Sequence, residues 1–249
     1  MRRILFNWNG FNVRSYPSAL YLGLVAGVFT GAYFAPRSGI DPDRFALATV
    51  ILLIPMMIGA RLFFVLMHWK EYRQDISRIW RRTEGGMVTF GGLVAGVAFS
   101  IPLLGIIQLP VSGYWDAAVM SFLVALLIAK LGCFLNGCCA GRPTEAWCGI
   151  NLPDHDGVWR RRFPTQILEM VSAAALFGFA VVVRDRAPFA GATALLVATL
   201  YSASRGFVEG LRDATESRTT AIVQATSVLF ALVALGGFIL ARLWQVVVS

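Results

Sequence analysis

Seven long apolar runs constrain what this sequence can fold into. They cover residues 19–35, 45–67, 87–109, 114–131, 166–183, 188–203 and 219–248. A helix needs about 20 apolar residues to cross the roughly 30 Å of hydrocarbon in a bilayer. Helices are the expected form because each satisfies its own backbone hydrogen bonds in lipid. The sequence therefore predicts an all-α, polytopic membrane protein with about seven transmembrane helices.

The composition agrees with a membrane location and with a single domain. Only 14% of the 249 residues are charged, whereas a soluble domain has about 25%. Neither an internal repeat nor a long linker divides the chain, so residues 1–249 are expected to form one transmembrane domain. Residues 1–17 are expected to lie at the membrane surface as an amphipathic segment. Residues 68–86 and 140–165 are expected to be basic extramembrane loops.

The excess of basic residues points to lipid rather than to nucleic acid. There are 22 lysines and arginines against 14 acidic residues, which gives a net charge of +8. The arginines cluster in short loops beside apolar runs, where anionic membrane lipids are the nearest partners. The alternative is that they mark topology. Fourteen basic residues fall on the N-terminal side and five on the other, so the positive-inside rule places the N-terminus in the cytoplasm.

Ionisable residues inside the apolar runs are candidates for function. Even low estimates assign a cost of about 2.5–3.5 kcal/mol to one such residue at the centre of a membrane helix. Such residues are Arg61 in the second run, Asp116 and Lys130 in the fourth, and Glu169 in the fifth. Snorkelling at a helix end is the better interpretation for Asp116. For Arg61 and Lys130, snorkelling and substrate binding are equally good interpretations.

A second set of polar residues is spaced for one helix face. Tyr201, Arg205 and Glu209 follow each other at intervals of four residues, which places them on the same side of a helix. The planar fork of an arginine matches phosphate oxygens in a bidentate arrangement. We therefore predict a phosphate site at this end of the sixth run.

Glycines in two segments indicate a lipid-binding cavity. Gly91 and Gly92 in the third run would let either a lipid headgroup or another helix approach closely. In the segment LGCFLNGCCAGRPT, residues 131–144, Gly137 and Gly141 flank a predicted turn out of the membrane. Asn136 and Arg142 in the same segment can donate hydrogen bonds to an anion.

All four cysteines fall within sixteen residues, at Cys133, Cys138, Cys139 and Cys148. Their spacing lacks the paired C-x2–4-C pattern of zinc sites, so neither a metal nor another cofactor is expected. A disulfide is possible if the loop faces an oxidising compartment. The cysteines could equally be small packing residues, or one of them could be a catalytic thiol.

Six blocks of the sequence resemble, in order, those of the bacterial prolipoprotein diacylglyceryl transferase family. The blocks are RSYPSALYLG, GARLFFV, GGMVTFGGLVAG, AKLGCFLNGCCAGRPT, RFPTQILE and YSASRGFVEGLRD. The resemblance implies seven spans in the bacterial cytoplasmic (inner) membrane. It also implies transfer of a diacylglyceryl group from phosphatidylglycerol to the cysteine thiol of a lipobox-containing prolipoprotein, with release of glycerol 1-phosphate.

The resemblance further implies that the arginine-rich side, which carries the active site, is extracytoplasmic. This contradicts the charge count. We follow the resemblance, because those arginines would then serve to hold anionic lipid and because the positive-inside rule is statistical.

Site residues follow from the resemblance together with the polar patterns above. The resemblance assigns lipid binding or activation to Tyr16, Asn136, Gly141, Arg142, Tyr201 and Arg205. We predict catalytic roles for Arg205, Arg142 and Tyr201. We predict substrate binding for Tyr16, Arg61, Gly91, Gly92, Lys130, Asn136, Gly137, Gly141 and Glu209.

The sequence departs from the family at several of these positions. Phe90 and Phe163 stand where the family has histidines. Lys130 replaces an arginine, Cys133 an asparagine and Cys138 a glutamate. Three functions therefore stay open: the family's own reaction, a divergent phospholipid-dependent transferase with a non-lipoprotein acceptor, and a non-catalytic lipid-binding or lipid-transport membrane protein.

Overall fold

The computed structural model describes residues 4–8, 11–80, 86, 88–153, 157–213 and 217–248. The three segments predicted to lie outside the membrane therefore fall only partly within it. Outside the described residues lie 1–3 and 9–10 of segment 1–17, 81–85 of loop 68–86, and 154–156 of loop 140–165.

Helices dominate the structure, which confirms the all-α prediction. The long helices are α1 (Ser15–Phe34), α2 (Pro42–Met67), α4 (Thr89–Ile106), α5 (Val111–Asn136), α6 (Thr165–Val183), α7 (Ala192–Glu209) and α8 (Ser217–Val248), and α3 (Trp69–Tyr72) is a single turn. Two separate antiparallel hairpins pair β1 (Ile4–Trp8) with β2 (Phe11–Arg14), and β3 (Ile150–Pro153) with β4 (Trp159–Arg162).

Within the described chain, six helices are long and apolar enough to cross a membrane. The sequence predicts seven spans, and α7 is the predicted span that is not among these six. This helix has 18 residues but carries Tyr201, Arg205 and Glu209. It packs against α5, α6 and α8, so its polar side chains face other helices. A helix shielded in this way does not need the apolar composition of one that faces lipid.

Helix α5 is the centre of the bundle. Two buried clusters flank it: one joins it to α1, α6 and α7, and the other joins it to α2 and α4. Helix α1 packs on it through the buried glycines Gly23, Gly27 and Gly31. A Cβ at position 27 would lie 2.6 Å from the carbonyl oxygen of Ser121. The two backbones are therefore in contact, as small residues allow in membranes.

Helices α2 and α4 form a similar close pair. A Cβ at Gly91 would lie 2.6 Å from the carbonyl oxygen of Gly59, and one at Gly92 would lie 3.0 Å from that of Met56. Gly91 and Gly92 therefore serve helix packing. The contact with another helix, one of the two uses considered from the sequence, is therefore present, and their predicted substrate binding stays a prediction.

The segment predicted to be amphipathic, 1–17, contains the β1–β2 hairpin and the start of α1. Asn7 donates a hydrogen bond to Asn12 across the hairpin, with 2.8 Å between Nδ2 and Oδ1. The side chains of Ile4 and Phe6 are exposed. Insertion of this hairpin into the membrane surface stays a prediction.

Asp116 has a different role from the predicted snorkelling. Its carboxylate accepts hydrogen bonds from the backbone N–H groups of Gly191, at 2.6 Å, and Ala194, at 2.9 Å. Gly191 adopts a φ of 96° at the start of α7. Asp116 thus caps the N-terminus of α7, where unsatisfied N–H groups and the helix dipole favour a negative charge.

We expect Gly27→Leu to destabilise the protein, because the added side chain must separate α1 from α5. Overpacking a tight contact typically costs about 1–3 kcal/mol. The measurement is the melting temperature of the detergent-solubilised protein. Gly178→Leu is the matched control, because a Cβ there meets no atom within 4 Å. Equal melting temperatures for the two variants would contradict the close α1–α5 contact.

Candidate functional site

The polar face of α7 has the arrangement that the sequence predicts. The guanidinium of Arg205 forms an ion pair with Glu209 one turn later, with 2.7 Å between Nη2 and Oε2. Tyr201 is buried, and its ring packs edge-on against Phe122 of α5 at 4.9 Å between centroids. The predicted alignment of Tyr201, Arg205 and Glu209 on one helix face is therefore confirmed for these helical positions.

Glu169 of α6 connects this face to α5. Its Oε1 lies 2.9 Å from Nη1 of Arg205, and its Oε2 forms an ion pair with Nζ of Lys130. Glu209 also pairs with Arg212, at 3.2 Å. We call these five residues, Lys130, Glu169, Arg205, Glu209 and Arg212, the charge cluster. It joins α5, α6, α7 and the segment that follows α7.

The charge cluster is buried and carries an excess of positive charge. The exposed fraction of its side chains ranges from 8% at Glu169 to 22% at Arg212. Three cations face two carboxylates. Burying a charge is costly unless a partner compensates it, and the two carboxylates compensate only two of the three cations. The remaining positive charge makes this a favourable place for an anion.

Two members of the cluster, Glu169 and Arg212, are not among the residues to which the sequence analysis assigns a catalytic or binding role. Glu169 ends the block RFPTQILE, and Arg212 lies in the block YSASRGFVEGLRD. The sequence signal for Glu169 was its position inside an apolar run, where an ionisable residue is expensive. Arg212 sits just beyond a helix end and gave no such signal.

Arg212 and Cys139 lie just outside the long helices, and the pKa of each is shifted by nearby groups. Burial acts to lower the pKa of Arg212, but the charges of Cys139, Glu209 and Glu169 outweigh it and raise that pKa. Hydrogen bonds from Cys133 and Cys138 hold the pKa of the Cys139 thiol below its usual range, with help from the charges of Arg212 and Lys130. Burial of Cys139 opposes this shift.

Helix α5 ends in a turn at Gly137, and the predicted course of the following segment out of the membrane stays a prediction. Gly137 has a φ of 77°, in the left-handed region where a side chain would be strained. A Cβ at Gly141 would collide with the carbonyl oxygen of Phe163. Both glycines are therefore required by the backbone. Asn136, at the end of α5, has its side chain within hydrogen-bonding reach of the Cys138 sulfur.

Arg142 lies at the mouth of the charge cluster. Its backbone N–H donates to the carbonyl of Leu211, at 2.9 Å, and the adjacent Gly141 forms a β-bridge with Arg212. These contacts place the loop against the end of α7. The Arg142 side chain is exposed, with its guanidinium 5.7 Å from the centre of the Phe163 ring. Among the described residues no carboxylate forms an ion pair with it.

An open cavity of about 700 Å³ extends outward from Arg142. Its lining residues are Arg142, Pro143, Thr144, Glu145, Arg160, Arg161 and Phe163. Three arginines against one glutamate make the cavity basic. It is large enough for a polar headgroup or for part of a peptide chain.

Two further predicted residues lie in different parts of the molecule. Tyr16 is in the first turn of α1, which packs on α5 at Gly132, and it lies near the three cysteines Cys133, Cys138 and Cys139. Arg61 lies in α2, and its guanidinium donates to the carbonyls of Ile79 and Gly86, at 2.8 and 3.1 Å. These bonds tie Ile79 and Gly86 to α2.

Arg61, Gly91 and Gly92 therefore belong to the α2–α4 pair and not to the charge cluster. Arg61 is buried, and its guanidinium also lies over the rings of Phe64 and Tyr72. The structure gives these three residues roles in packing and loop anchoring. Their predicted substrate binding stays untested.

Phe90 occupies the position that the resemblance assigns to a histidine. It is 2% exposed, and its ring lies 4.9 Å from that of Phe230 on α8. The site of the expected base is therefore an apolar contact between α4 and α8. Phe163, at the second such position, packs under Arg142.

Comparison with known proteins points to one family. A sequence profile described as prolipoprotein diacylglyceryl transferase matches residues 3–241. A phosphatidylglycerol–prolipoprotein diacylglyceryl transferase of Clostridioides difficile (strain 630) is 28% identical over 240 residues, which are 96% of this chain and 94% of that protein. A second enzyme of that name, from Clostridium perfringens (strain 13 / Type A), is 28% identical over 223 residues, 86% and 84% of the two chains.

We expect Glu169→Gln to destabilise the protein strongly, because Lys130 and Arg205 would keep their charges and lose a shared partner. Removing one member of a buried ion pair typically costs about 3–5 kcal/mol. The measurement is thermal unfolding in detergent. Asp185→Asn is the control, since Asp185 is exposed and pairs with Arg184 at 3.5 Å, and such a pair contributes about 0–1 kcal/mol. Similar melting temperatures for the two variants would show that Glu169 does not hold the cluster together.

Proposed function

Because this chain belongs to the prolipoprotein diacylglyceryl transferase family, we propose that it transfers a diacylglyceryl group from phosphatidylglycerol to the cysteine thiol of a prolipoprotein. The observation that carries the assignment of the site is the buried charge cluster, with three cations against two carboxylates. The headgroup of phosphatidylglycerol has a single phosphodiester anion, and that charge matches the cluster's excess.

We assign the phosphate to the space between Arg142 and Arg205. Arg142 is exposed at the mouth of the cluster and has a guanidinium without a carboxylate partner in the described chain. Arg205 lies deeper, with its two nitrogens fixed by Glu169 and Glu209. A lipid entering from the bilayer would meet the exposed arginine first and the fixed one second. Asn136 and Tyr16, at the adjoining ends of α5 and α1, would complete the headgroup site.

The reaction forms a bond between the acceptor sulfur and C3 of the lipid's glyceryl group. The bond between that carbon and the phosphate oxygen breaks, and glycerol 1-phosphate leaves with the electron pair. Negative charge grows on the leaving phosphate during this step, and fixed donors aimed at such charge are a main source of rate enhancement. Arg142 and Arg205 would supply those donors. Tyr201, packed against Phe122, would act as a positioning residue for Arg205.

The acceptor thiol must lose its proton, and Phe90 offers no base for it. The basic cavity suggests another means. Arg142, Arg160 and Arg161 line it, and nearby cations lower the pKa of a thiol and so raise its thiolate fraction. We propose that the prolipoprotein cysteine enters through this cavity and is activated by the arginines, with its proton passing to solvent or to the leaving phosphate.

Phe90 and Phe163 favour a second candidate, a transferase that uses a non-lipoprotein acceptor. A non-catalytic lipid-binding or transport protein would also keep the charge cluster. Incubation of the purified protein with phosphatidylglycerol labelled in its acyl chains and with a lipobox peptide separates the three. Labelled peptide supports the main proposal, a labelled new lipid supports the second acceptor, and unchanged substrate supports the non-catalytic function.

We also propose that the protein lies in the bacterial inner membrane with Arg142 and the basic cavity on the extracytoplasmic side. With all four native cysteines replaced by serine, a single Arg160→Cys substitution should react with a membrane-impermeant maleimide in intact cells. Asp41→Cys is the matched control on the opposite side and should react only after lysis. Labelling of position 41 alone in intact cells would establish the reverse orientation, as the charge count predicts.

Arg142→Ala should lower turnover by about 10²–10³, the usual loss when one donor to a developing charge is removed. The exposed side chain of Arg142 makes no ion pair in the described chain, so the variant should unfold at the wild-type temperature. Arg186→Ala, another exposed arginine, is the control and should keep full activity. Wild-type turnover by Arg142→Ala would remove this residue from the phosphate site.

Arg205→Lys should lower turnover by a similar factor of about 10²–10³. A lysine keeps the charge, but it has no planar fork with which to bridge Glu169 and Glu209 while facing a phosphate. Turnover is measured with labelled phosphatidylglycerol in samples whose folding is checked by melting temperature. A folded variant with wild-type turnover would contradict the assignment of Arg205 to the phosphate site.

A further inference from the structure

Three cysteine sulfurs converge at the end of α5. The Sγ atoms of Cys133, Cys138 and Cys139 all lie within 4.8 Å of one another. Cys148 is not part of this group. All four cysteines are free thiols, so the disulfide considered from the sequence is not formed. We call the group of three the thiol cluster.

Backbone geometry explains why the first two thiols meet. The N–H of Gly137 donates to the carbonyl of Phe134, and the N–H of Cys138 donates to that of Cys133, at 3.2 Å. This pair of bonds around a left-handed glycine is the Schellman arrangement, in which the residue after the glycine contacts a residue in the last helical turn. Here the two residues in contact are cysteines.

The third thiol is brought in by an uncommon backbone conformation. Cys139 has a φ of 61°, which few residues other than glycine adopt. Helix α6 holds it there, because Thr165 donates to the carbonyl of Cys139 and Gln166 donates to the carbonyl of Cys138, both at 2.8 Å. The thiol cluster is therefore fixed by two helices before any ligand binds.

Two basic side chains lie close to the thiol cluster. Lys130 and Arg212 both lie near enough to act on Cys139 electrostatically. No histidine or carboxylate of the described chain joins the three sulfurs within the same distance.

We propose that Cys133, Cys138 and Cys139 form a three-coordinate binding site for a soft, thiophilic cation of the Cu(I) class. Thiolates are ligands of choice for Cu(I), as they are for Zn²⁺ and iron–sulfur clusters. Metal–sulfur bonds of about 2.3 Å place the sulfurs of a planar three-coordinate ion about 4 Å apart, within the observed spacing. A structural zinc ion would require four ligands, one more than the cluster offers. Binding releases the thiol protons to solvent.

The proposal is tested on the full-length, reduced and metal-free protein in detergent, by titration with Cu(I) against a chromophoric Cu(I) chelator. We expect one tightly bound ion per chain and three sulfur neighbours in X-ray absorption spectra. Cys133→Ser, Cys138→Ser and Cys139→Ser should each weaken binding by at least 10–100-fold, the loss seen even for an outer-shell partner. Cys148→Ser is the matched control and should bind as the wild type does.

Several results would overturn the proposal. One is Cu(I) affinity in the wild type no greater than in the variant lacking all three cysteines. Another is a linear site with two sulfur ligands that Cys139→Ser leaves unchanged. A third is binding of Zn²⁺ by four ligands with a higher affinity than that for Cu(I). The number of sulfur neighbours is read from the wild type, so the test does not depend on any variant folding. Because the readout is metal binding, its failure leaves the proposed transferase activity untouched.

Discussion

The two ion pairs of Glu169 are the interaction on which the rest of the structure depends. One carboxylate on α6 binds Lys130 of α5 and Arg205 of α7. In a low-dielectric interior these charges cannot separate without a large penalty, so the three helices are fixed relative to one another. Glu209 extends the same network to Arg212. Because the cations outnumber the carboxylates, the interaction that holds the bundle also leaves a charge available for an anionic lipid.

The loop that follows α5 is shaped by the same helices. Gln166 and Thr165 at the start of α6 bind its carbonyls, and Leu211 after α7 accepts from Arg142. Arg142 is therefore held at the mouth of the charge cluster although its own side chain is exposed.

A comparison of Arg61 with Arg142 shows that the hydrogen-bond partners of an arginine determine its role. Its donors are occupied by carbonyls of the loop after α2, whereas Arg142 keeps its guanidinium available.

What could be predicted from the sequence was mainly local. The apolar runs gave the long helices, and the spacing of Tyr201, Arg205 and Glu209 gave one polar face, because both depend on neighbouring residues. The ion pair Glu169–Arg205 joins residues 36 positions apart. No periodicity in the sequence indicates which buried charged residues pair with each other. The thiol cluster does not follow zinc-type spacing, because the left-handed residues Gly137 and Cys139 bring its sulfurs together. For Gly91 the sequence left open whether a lipid headgroup or a helix lies beside it, and only the packing of the helices shows that the neighbour is α2.

The central claim is that the space between Arg142 and the charge cluster holds the phosphate of phosphatidylglycerol. The most direct measurement is an experimental structure, by electron cryo-microscopy, of the protein in lipid discs that contain phosphatidylglycerol. We expect density for a phosphate within hydrogen-bonding distance, about 3 Å, of Arg142 and facing Arg205. A phosphate bound instead beside Arg61 or along the α2–α4 pair, with the space at Arg142 empty of lipid, would contradict the account.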